Sequence, residues 1–373
     1  MAFELPKLVD LTDDQLTILN AAYDKNMIVG GPPGTGKSVL AIYRAADLSN
    51  KRRKTLLLVY NRPLKFYIST AVDSLHITTE VSTYHAWLNE MYKNVIQKNA
   101  PKWNFDWDFN AVCEDFKRLG TIYDDIIIDE AQDFPIELIK ALTYVGKHIS
   151  CFMDVKQRIF SSRHASYADI ATTLGIRTMY TLSDNFRNTE EIFNFAKLYN
   201  SEIDDDILTM RNGEKPLFAK VNSLDQVYET IQNIVDNNPA RTIGVFTNYG
   251  KQEEVSDSIR KLVGSKVSVR AYDGNSANSN LWKINFDNNG VFVLSTGTMK
   301  GLEFDVVVIP RVDGLKRKKD KELDSNTFYV AATRASEDLY CFYETDQQSS
   351  SYIDVFGPLN LARDLVDWED LTQ

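Results

Sequence analysis

Gly31-Pro-Pro-Gly-Thr-Gly-Lys-Ser38 satisfies the G-x-x-x-x-G-K-[ST] spacing at every fixed position. Backbone N–H groups of Gly31, Gly34, Thr35 and Gly36 can approach phosphate oxygens closely, Lys37 supplies a cation for the β- and γ-phosphates, and the Ser38 hydroxyl is an oxygen ligand for Mg²⁺. ATP and Mg²⁺ are the expected cofactors. A second element, Ile126-Ile-Ile-Asp-Glu-Ala-Gln-Asp133, sets two acids directly after an apolar run. Asp129 suits the metal's coordination shell, and Glu130 suits a base that takes a proton from an attacking water. An Asp-Glu pair after a strand is equally a common helix opening, because acids favour the positive end of the helix dipole; company with the phosphate loop decides for catalysis. Charge lost from a γ-phosphate to a leaving diphosphate needs fixed positive groups around the equatorial oxygens.

These residues need a scaffold that brings strand ends together. Short β-branched or Leu-rich runs alternate with longer amphipathic stretches, the pattern of an α/β protein with parallel sheets flanked by helices. Expected strands in the first half are Met27–Val29, Leu56–Val59, Ile126–Ile128 and Ile149–Met153. A second series comprises Thr242–Phe246, Val291–Leu294, Val306–Ile309 and Leu339–Phe342. Two sheets fit these better than one. Between the series, Asn188-Thr-Glu-Glu191 reads as a helix start, with Asn or Thr capping and acids in the first turn. The boundary is placed there: residues 1–180 form one domain, with a small insertion at about 89–119, and residues 181–373 form the other. Between Lys197 and Val291 the sequence suggests a strand or two plus connections, with Asn-rich turns at 273–280 and 287–290.

Composition bounds the function. The chain of 373 residues is 43% hydrophobic and 25% charged, the balance of a globular protein large enough for two domains. A net charge of −10 excludes coating of nucleic acid by the whole surface, so any such contact is a local groove. Cys113, Cys151 and Cys341 have no paired spacing, which points to buried thiols rather than a disulfide or zinc framework. Apolar runs fall well below the roughly 18 to 20 residues needed to cross a bilayer, and the N-terminus lacks signal-peptide character. No membrane partner and a cytoplasmic location are expected. Basic clusters at Lys51–Lys54 and Arg311–Lys321 read as a helix C-terminal cluster and a solvated loop.

Asp-Glu-Ala-Gln-Asp resembles the form this element takes in the UvrD/Rep-like branch of helicase superfamily 1. Further segments match in order from Leu11 to about Phe342. The resemblance implies two RecA-like P-loop domains, with Gln15 of Leu11-Thr-Asp-Asp-Gln15 contacting the adenine. Gln157, in Asp154-Val-Lys-Gln-Arg-Ile-Phe160, would sense the γ-phosphate. Asn185-Phe-Arg-Asn-Thr189 would set Phe186 against the base and Arg187 on the γ-phosphate. Glu303 of Lys300-Gly-Leu-Glu-Phe304 would bind the ribose, and Arg334 of Tyr329-Val-Ala-Ala-Thr-Arg-Ala335 would be an arginine finger. Because Lys37 and Glu130 lie in one domain and both arginines in the other, hydrolysis would require domain closure.

The resemblance also implies a cleft for single-stranded DNA, lined by phosphate contacts and aromatic side chains. Its candidates are Tyr60, Asn61 and Arg62; Thr83, Tyr84, His85 and Trp87; Phe160; and Thr298. Tyr84 and Trp87 are three residues apart, which is also the spacing of a helix packed on its core, and His85 can be a core histidine. The family's aromatic two positions after Phe160 is Ser162 here, its Phe-Thr-Asn-Lys segment is Val59-Tyr-Asn-Arg62, and its usual His before Lys-Gly-Leu-Glu is Gly297. A compact ATP-dependent DNA helicase or translocase core is the first reading, and the resemblance alone implies a 3′ to 5′ direction. The alternative is a nucleotide- or DNA-gated regulatory ATPase subunit controlling a protein partner such as a nuclease, since compact chains resembling this one occur in bacterial anti-phage defence modules.

Overall fold

A computed structural model of the chain describes residues 5–75, 77–103, 106–154, 165–199, 209–248, 250–272, 289–295, 298–299, 301–312, 321–344 and 364–372. The chain divides between Ser183 and Asp184 into two compact units. Gln157 and Phe160, with Ser162, Gly297, Lys300 and the Asn-rich turn at 273–280, lie outside the described residues.

In the unit before Ser183, strands β1 (Met27–Gly30), β2 (Thr55–Val59), β3 (Glu80–Thr83), β6 (Tyr123–Ile128), β7 (Gly146–Met153) and β8 (Tyr180–Thr181) build one sheet in the order β3-β2-β6-β7-β1-β8. All its neighbours run parallel. Parallel strands need crossovers, supplied by α2 (Lys37–Asn50), α3 (Arg62–Ser74), α4 (Tyr84–Glu90), α5 (Phe109–Leu119), α6 (Ile136–Val145) and α7 (Tyr167–Leu174), while α1 (Asp13–Leu19) precedes β1. The central strands read as unbroken apolar runs because helices cover both faces; β1 and β2 are buried at every position. After α4 the backbone continues as one π-helical stretch, Met91–Ile96, then a short antiparallel hairpin of β4 (Lys102–Trp103) and β5 (Asp106–Trp107). The Asp108 carboxylate accepts from the Asn110 and Ala111 amides and so starts α5, whose apolar face buries Val112 and Phe116.

The second unit holds β9 (Leu217–Val221), β10 (Thr242–Thr247), β11 (Ser268–Tyr272), β12 (Gly290–Ser295), β13 (Phe304–Ile309), β14 (Ala335–Glu344) and β15 (Asp367–Asp370) in the order β11-β12-β10-β13-β14-β9-β15, again all parallel. Three strands, β9 to β11, occupy the stretch where a strand or two was expected. They alternate with α9 (Leu224–Asn237) and α10 (Gln252–Val263), which bury Val227, Ile231 and Ile259 against the sheet's Val245, Val293 and Val308. Two other helices belong to this unit, α8 (Glu190–Ala196) and α11 (Lys321–Ala332). Thr189 caps α8 by accepting from the Ile192 amide, with Glu190 and Glu191 in its first turn. No helix among the described residues is long and apolar enough to cross a membrane.

Candidate nucleotide site and helicase-type residues

Parallel order puts the carboxyl ends of β1, β6 and β7 on one edge of the first sheet, with β7 between the other two. Ligands in open α/β sheets bind at that edge. The loop after β1 turns through Gly34 (φ +78) and Gly36 (φ +84), values that side chains with a Cβ tolerate poorly, and α2 begins at Lys37 directly behind it. Lys37 Nζ donates to the carbonyls of Gly31 and Pro32, each at 2.7 Å. Thr35 is fully buried, and its hydroxyl donates to the Pro32 carbonyl at 3.0 Å.

Asp129 and Glu130 follow β6. The Ser38 hydroxyl donates to Asp129 Oδ2 at 2.7 Å, joining the helix that follows the phosphate loop to the acidic strand end. Two oxygen donors of this kind beside a helix N-terminus fit Mg²⁺, which completes its shell with phosphate oxygens and water. Burial, and next the Glu130 carboxylate, push the Asp129 carboxyl above the usual carboxylate range, against the pull of Ser38 and Lys37. A bound cation reverses that tendency.

Glu130 is held at φ +55, a left-handed backbone unusual for a residue with a side chain. Gln132 stabilises it: its amide nitrogen donates to Glu130 Oε2, while its Oε1 accepts from the Asp154 amide at 3.0 Å. Gln132 therefore ties the end of β6 to the end of β7. The spacing Asp-Glu-Ala-Gln contained that residue, but no sequence rule revealed its two partners.

Gln15 sits beside the loop. Its Nε2 donates to the Thr35 carbonyl at 3.1 Å, and its Oε1 accepts from the Thr12 amide at 3.0 Å.

The strand-contact candidates of this unit lie at the carboxyl ends of β2 and β3, on the same edge of the sheet. Asn61 Oδ1 accepts from the Leu64 amide at 2.8 Å and so opens α3, while Arg62 is exposed and Tyr60 half-buried. Thr83 and Tyr84 are buried, with the Tyr84 ring against His85 and Phe134. His85 Nδ1 accepts from the Trp107 indole at 3.0 Å, and burial followed by the Lys102 ammonium pushes its pKa down to about 4. His85 is thus neutral at physiological pH, with its proton on Nε2.

Trp87 requires a correction. It is 1% exposed, stacks edge-on against Phe116 and donates its indole N–H to the Tyr123 hydroxyl at 3.1 Å. A ring enclosed in this way has no face for a base, so its three-residue spacing from Tyr84 reports core packing.

In the second unit, the Phe186 ring is 50% exposed. Arg187 Nε donates to Glu303 Oε2 at 2.8 Å, so the candidate phosphate and ribose residues pair with each other. Arg334 is buried, donating through Nε to the Val330 carbonyl at 3.0 Å and through Nη1 to the Leu302 carbonyl at 3.3 Å. Thr298 donates its amide at 2.9 Å and its hydroxyl at 2.8 Å to the Ser295 carbonyl.

A parallel sheet with a phosphate loop and an acid pair at its carboxyl edge defines a P-loop nucleoside triphosphatase core. The sequence model of the Schlafen group 3 DNA/RNA helicase domain matches residues 24–309, and that of the UvrD-like helicase C-terminal domain matches residues 290–341. The chain therefore belongs to the Schlafen group 3 DNA/RNA helicase domain family, within the UvrD/Rep-like helicases of superfamily 1, and its two units are RecA-like domains. No curated protein matches it. Among solved structures 538 chains match, including one described as the structure of PRRSV helicase, at 15% identity and a TM-score of 0.45. That match covers 90% of this chain and 56% of the viral one, little more than half its length.

Proposed function

We propose that the chain hydrolyses ATP and uses the cycle to move on single-stranded DNA. The observation that carries the reading is the 2.7 Å link between Ser38 and Asp129 with Glu130 beside it, which sets metal ligands and base against one phosphate loop. In this reading, backbone amides of residues 31–36 and Lys37 hold the β- and γ-phosphates, and Gln15 and Phe186 address the adenine. Ser38 and Asp129 would hold Mg²⁺, which when bound would supply neutralisation of charge on the phosphates. Glu130, oriented by Gln132, takes the proton of the attacking water. Gln157 senses the γ-phosphate, Arg187 and Arg334 stabilise its equatorial oxygens, and Glu303 exchanges its Arg187 partner for the ribose. Tyr60, Asn61, Arg62, Thr83, Tyr84, His85, Phe160 and Thr298 remain the proposed strand contacts, with neutral His85 a hydrogen-bond donor rather than a cation.

Steady-state ATP hydrolysis with and without single-stranded DNA tests this reading, with Lys37→Ala as the blank. Strong stimulation by the strand supports a motor. Turnover indifferent to DNA overturns it in favour of a regulatory ATPase that controls a partner such as a nuclease; the loss of Trp87 from the stacking set favours that second reading.

A further inference from the structure

The two arginines assigned to the γ-phosphate are joined by a polar network whose pairings are set by the fold. Asn188 is completely buried, and its carboxamide is fully committed. Nδ2 donates to the Thr333 carbonyl at 3.1 Å and to the Ala335 carbonyl at 2.6 Å, the carbonyls of the two residues that flank Arg334. Oδ1 accepts from Asn185 Nδ2 at 3.1 Å. Asn185 Oδ1 in turn accepts from the amides of Arg187 and Asn188, at 3.0 and 3.1 Å. One Asn pair therefore fixes the backbone on both sides of Arg334 and the turn that carries Arg187.

A second bridge comes from outside both motifs. Arg211 Nη2 donates to the Arg187 carbonyl at 2.8 Å and also to the Ser336 carbonyl. Its segment lies along the Arg187 turn: Asn185 N donates to Thr209 O at 3.1 Å, and Glu190 N to Arg211 O at 2.8 Å. Gly213 continues the fit, since a Cβ there would meet Thr189 Cγ2 at 2.3 Å. Leu302 and Glu303 add a third tie, accepting from Arg334 and Arg187 respectively.

We infer that Asn188 and Arg211 are positioning residues that hold Arg187 and Arg334 as one assembly, so that both guanidiniums are delivered to the γ-phosphate in fixed mutual register. The inference rests on the proposed roles of those arginines. Its physical basis is geometric: a guanidinium serves a developing charge only where its donors already point, and a displacement of about 1 Å can cost on the order of a hundredfold in rate. Arg211 uses one nitrogen for both carbonyls, a task that an ammonium can also perform. Arg211 is an exposed residue, so its truncation spares the core.

The experiment measures kcat and KM for Mg²⁺–ATP with the full chain at saturating single-stranded DNA, for Arg211→Ala, Arg211→Lys, Asn188→Ala, Arg334→Ala and the double variant Arg211→Ala/Arg334→Ala. Thermal unfolding runs alongside. Arg211→Ala is expected to lower kcat about tenfold to a hundredfold with KM nearly unchanged, and Arg211→Lys to restore most of the loss. Adding Arg211→Ala to Arg334→Ala should cost less than Arg211→Ala costs in the wild type, because only Arg187 is then left for the bridge to position. Asn188→Ala should show the same split between kcat and KM. If Arg334→Ala abolishes turnover while Arg211→Ala leaves kcat within about twofold, or the two losses multiply, the positioning role is overturned and the finger stands. If Arg334→Ala leaves turnover intact, the finger assignment fails and the positioning role fails with it.

Discussion

Replacing Trp87 separates a core residue from a strand contact most sharply. The side chain is 1% exposed, packs against Phe116 and Tyr123, and donates to the Tyr123 hydroxyl, which itself donates to Glu80 at 2.8 Å. Truncation to alanine leaves a ring-sized cavity between α4, α5 and β6, and such losses cost about 3–5 kcal/mol. The hydrogen bond is a minor part of that sum, about 1 kcal/mol, because Tyr123 keeps Glu80 as its acceptor. Trp87→Phe keeps most of the packing and loses that bond, so its cost should fall well below the alanine value. Hydrogen exchange over peptides spanning residues 80–130 during urea denaturation reads the stability of this unit, and fluorescence anisotropy of a labelled oligonucleotide reads strand affinity. Both variants should lose exchange protection in the order Ala, then Phe, while the folded Phe variant binds the strand as the wild type does. Intact protection in Trp87→Phe with a tenfold weaker strand affinity, about 1.4 kcal/mol, would refute the placement of this ring in the core.

Three further outcomes follow from the site. Glu130→Gln should retain nucleotide affinity while kcat falls by about two to four orders of magnitude, measured by fluorescent-nucleotide titration beside steady-state turnover; unchanged turnover removes Glu130 as the base. Ser38→Ala should shift the Mg²⁺ dependence of hydrolysis to higher concentration and destabilise the first unit by about 1–3 kcal/mol, since buried Asp129 loses its hydroxyl donor. His85 gives an acid-side signature. Its folded pKa of about 4 lies below the ordinary value of 6.5, so the unfolded chain takes up the proton first, and stability present above pH 6.5 is lost as pH falls toward 4. The His85 ring is desolvated but the residue as a whole is open to solvent, and solvent screening holds that loss to about 1 kcal/mol or less. His85→Gln should flatten the decline in a thermal-unfolding series from pH 7 to 4.5, and an unaltered slope would assign the titration elsewhere.

The phosphate-loop edge was legible as strings, Gly31 to Ser38 and Asp129-Glu130, because phosphate chemistry demands residues at fixed spacing. Central strands such as Ile126–Ile128 and Val306–Ile309 were legible for a different reason, being apolar on both faces. Edge strands were not. Glu80-Val-Ser-Thr83 and Ser268-Val-Arg-Ala-Tyr272 mix polar and apolar residues, and among the described residues each stands at the edge of its sheet. Trp87 and Tyr84 share a spacing that serves core and cleft alike, and only burial separates the uses. Gln132, the His85–Trp107 pair and the Asn188–Arg211 network were illegible because each depends on partners brought together by the fold, with Asn188 and its Ala335 acceptor 147 residues apart.

Strand β15 has a consequence for how the chain is made. It pairs in parallel with β9, laying Asp367 to Asp370 beside Leu217 to Lys220, and Trp368 rests its ring on Phe218. During synthesis β9 therefore leaves the ribosome long before the segment that covers its outer edge. Until residues 367–370 arrive, that edge presents unpaired amides and carbonyls, a template for pairing with another nascent chain. The acids of β15, Asp367, Glu369 and Asp370, then finish the border with like charges that discourage a further strand from docking. A strand translated long after β9 thus acts as the seal of that sheet edge against self-association.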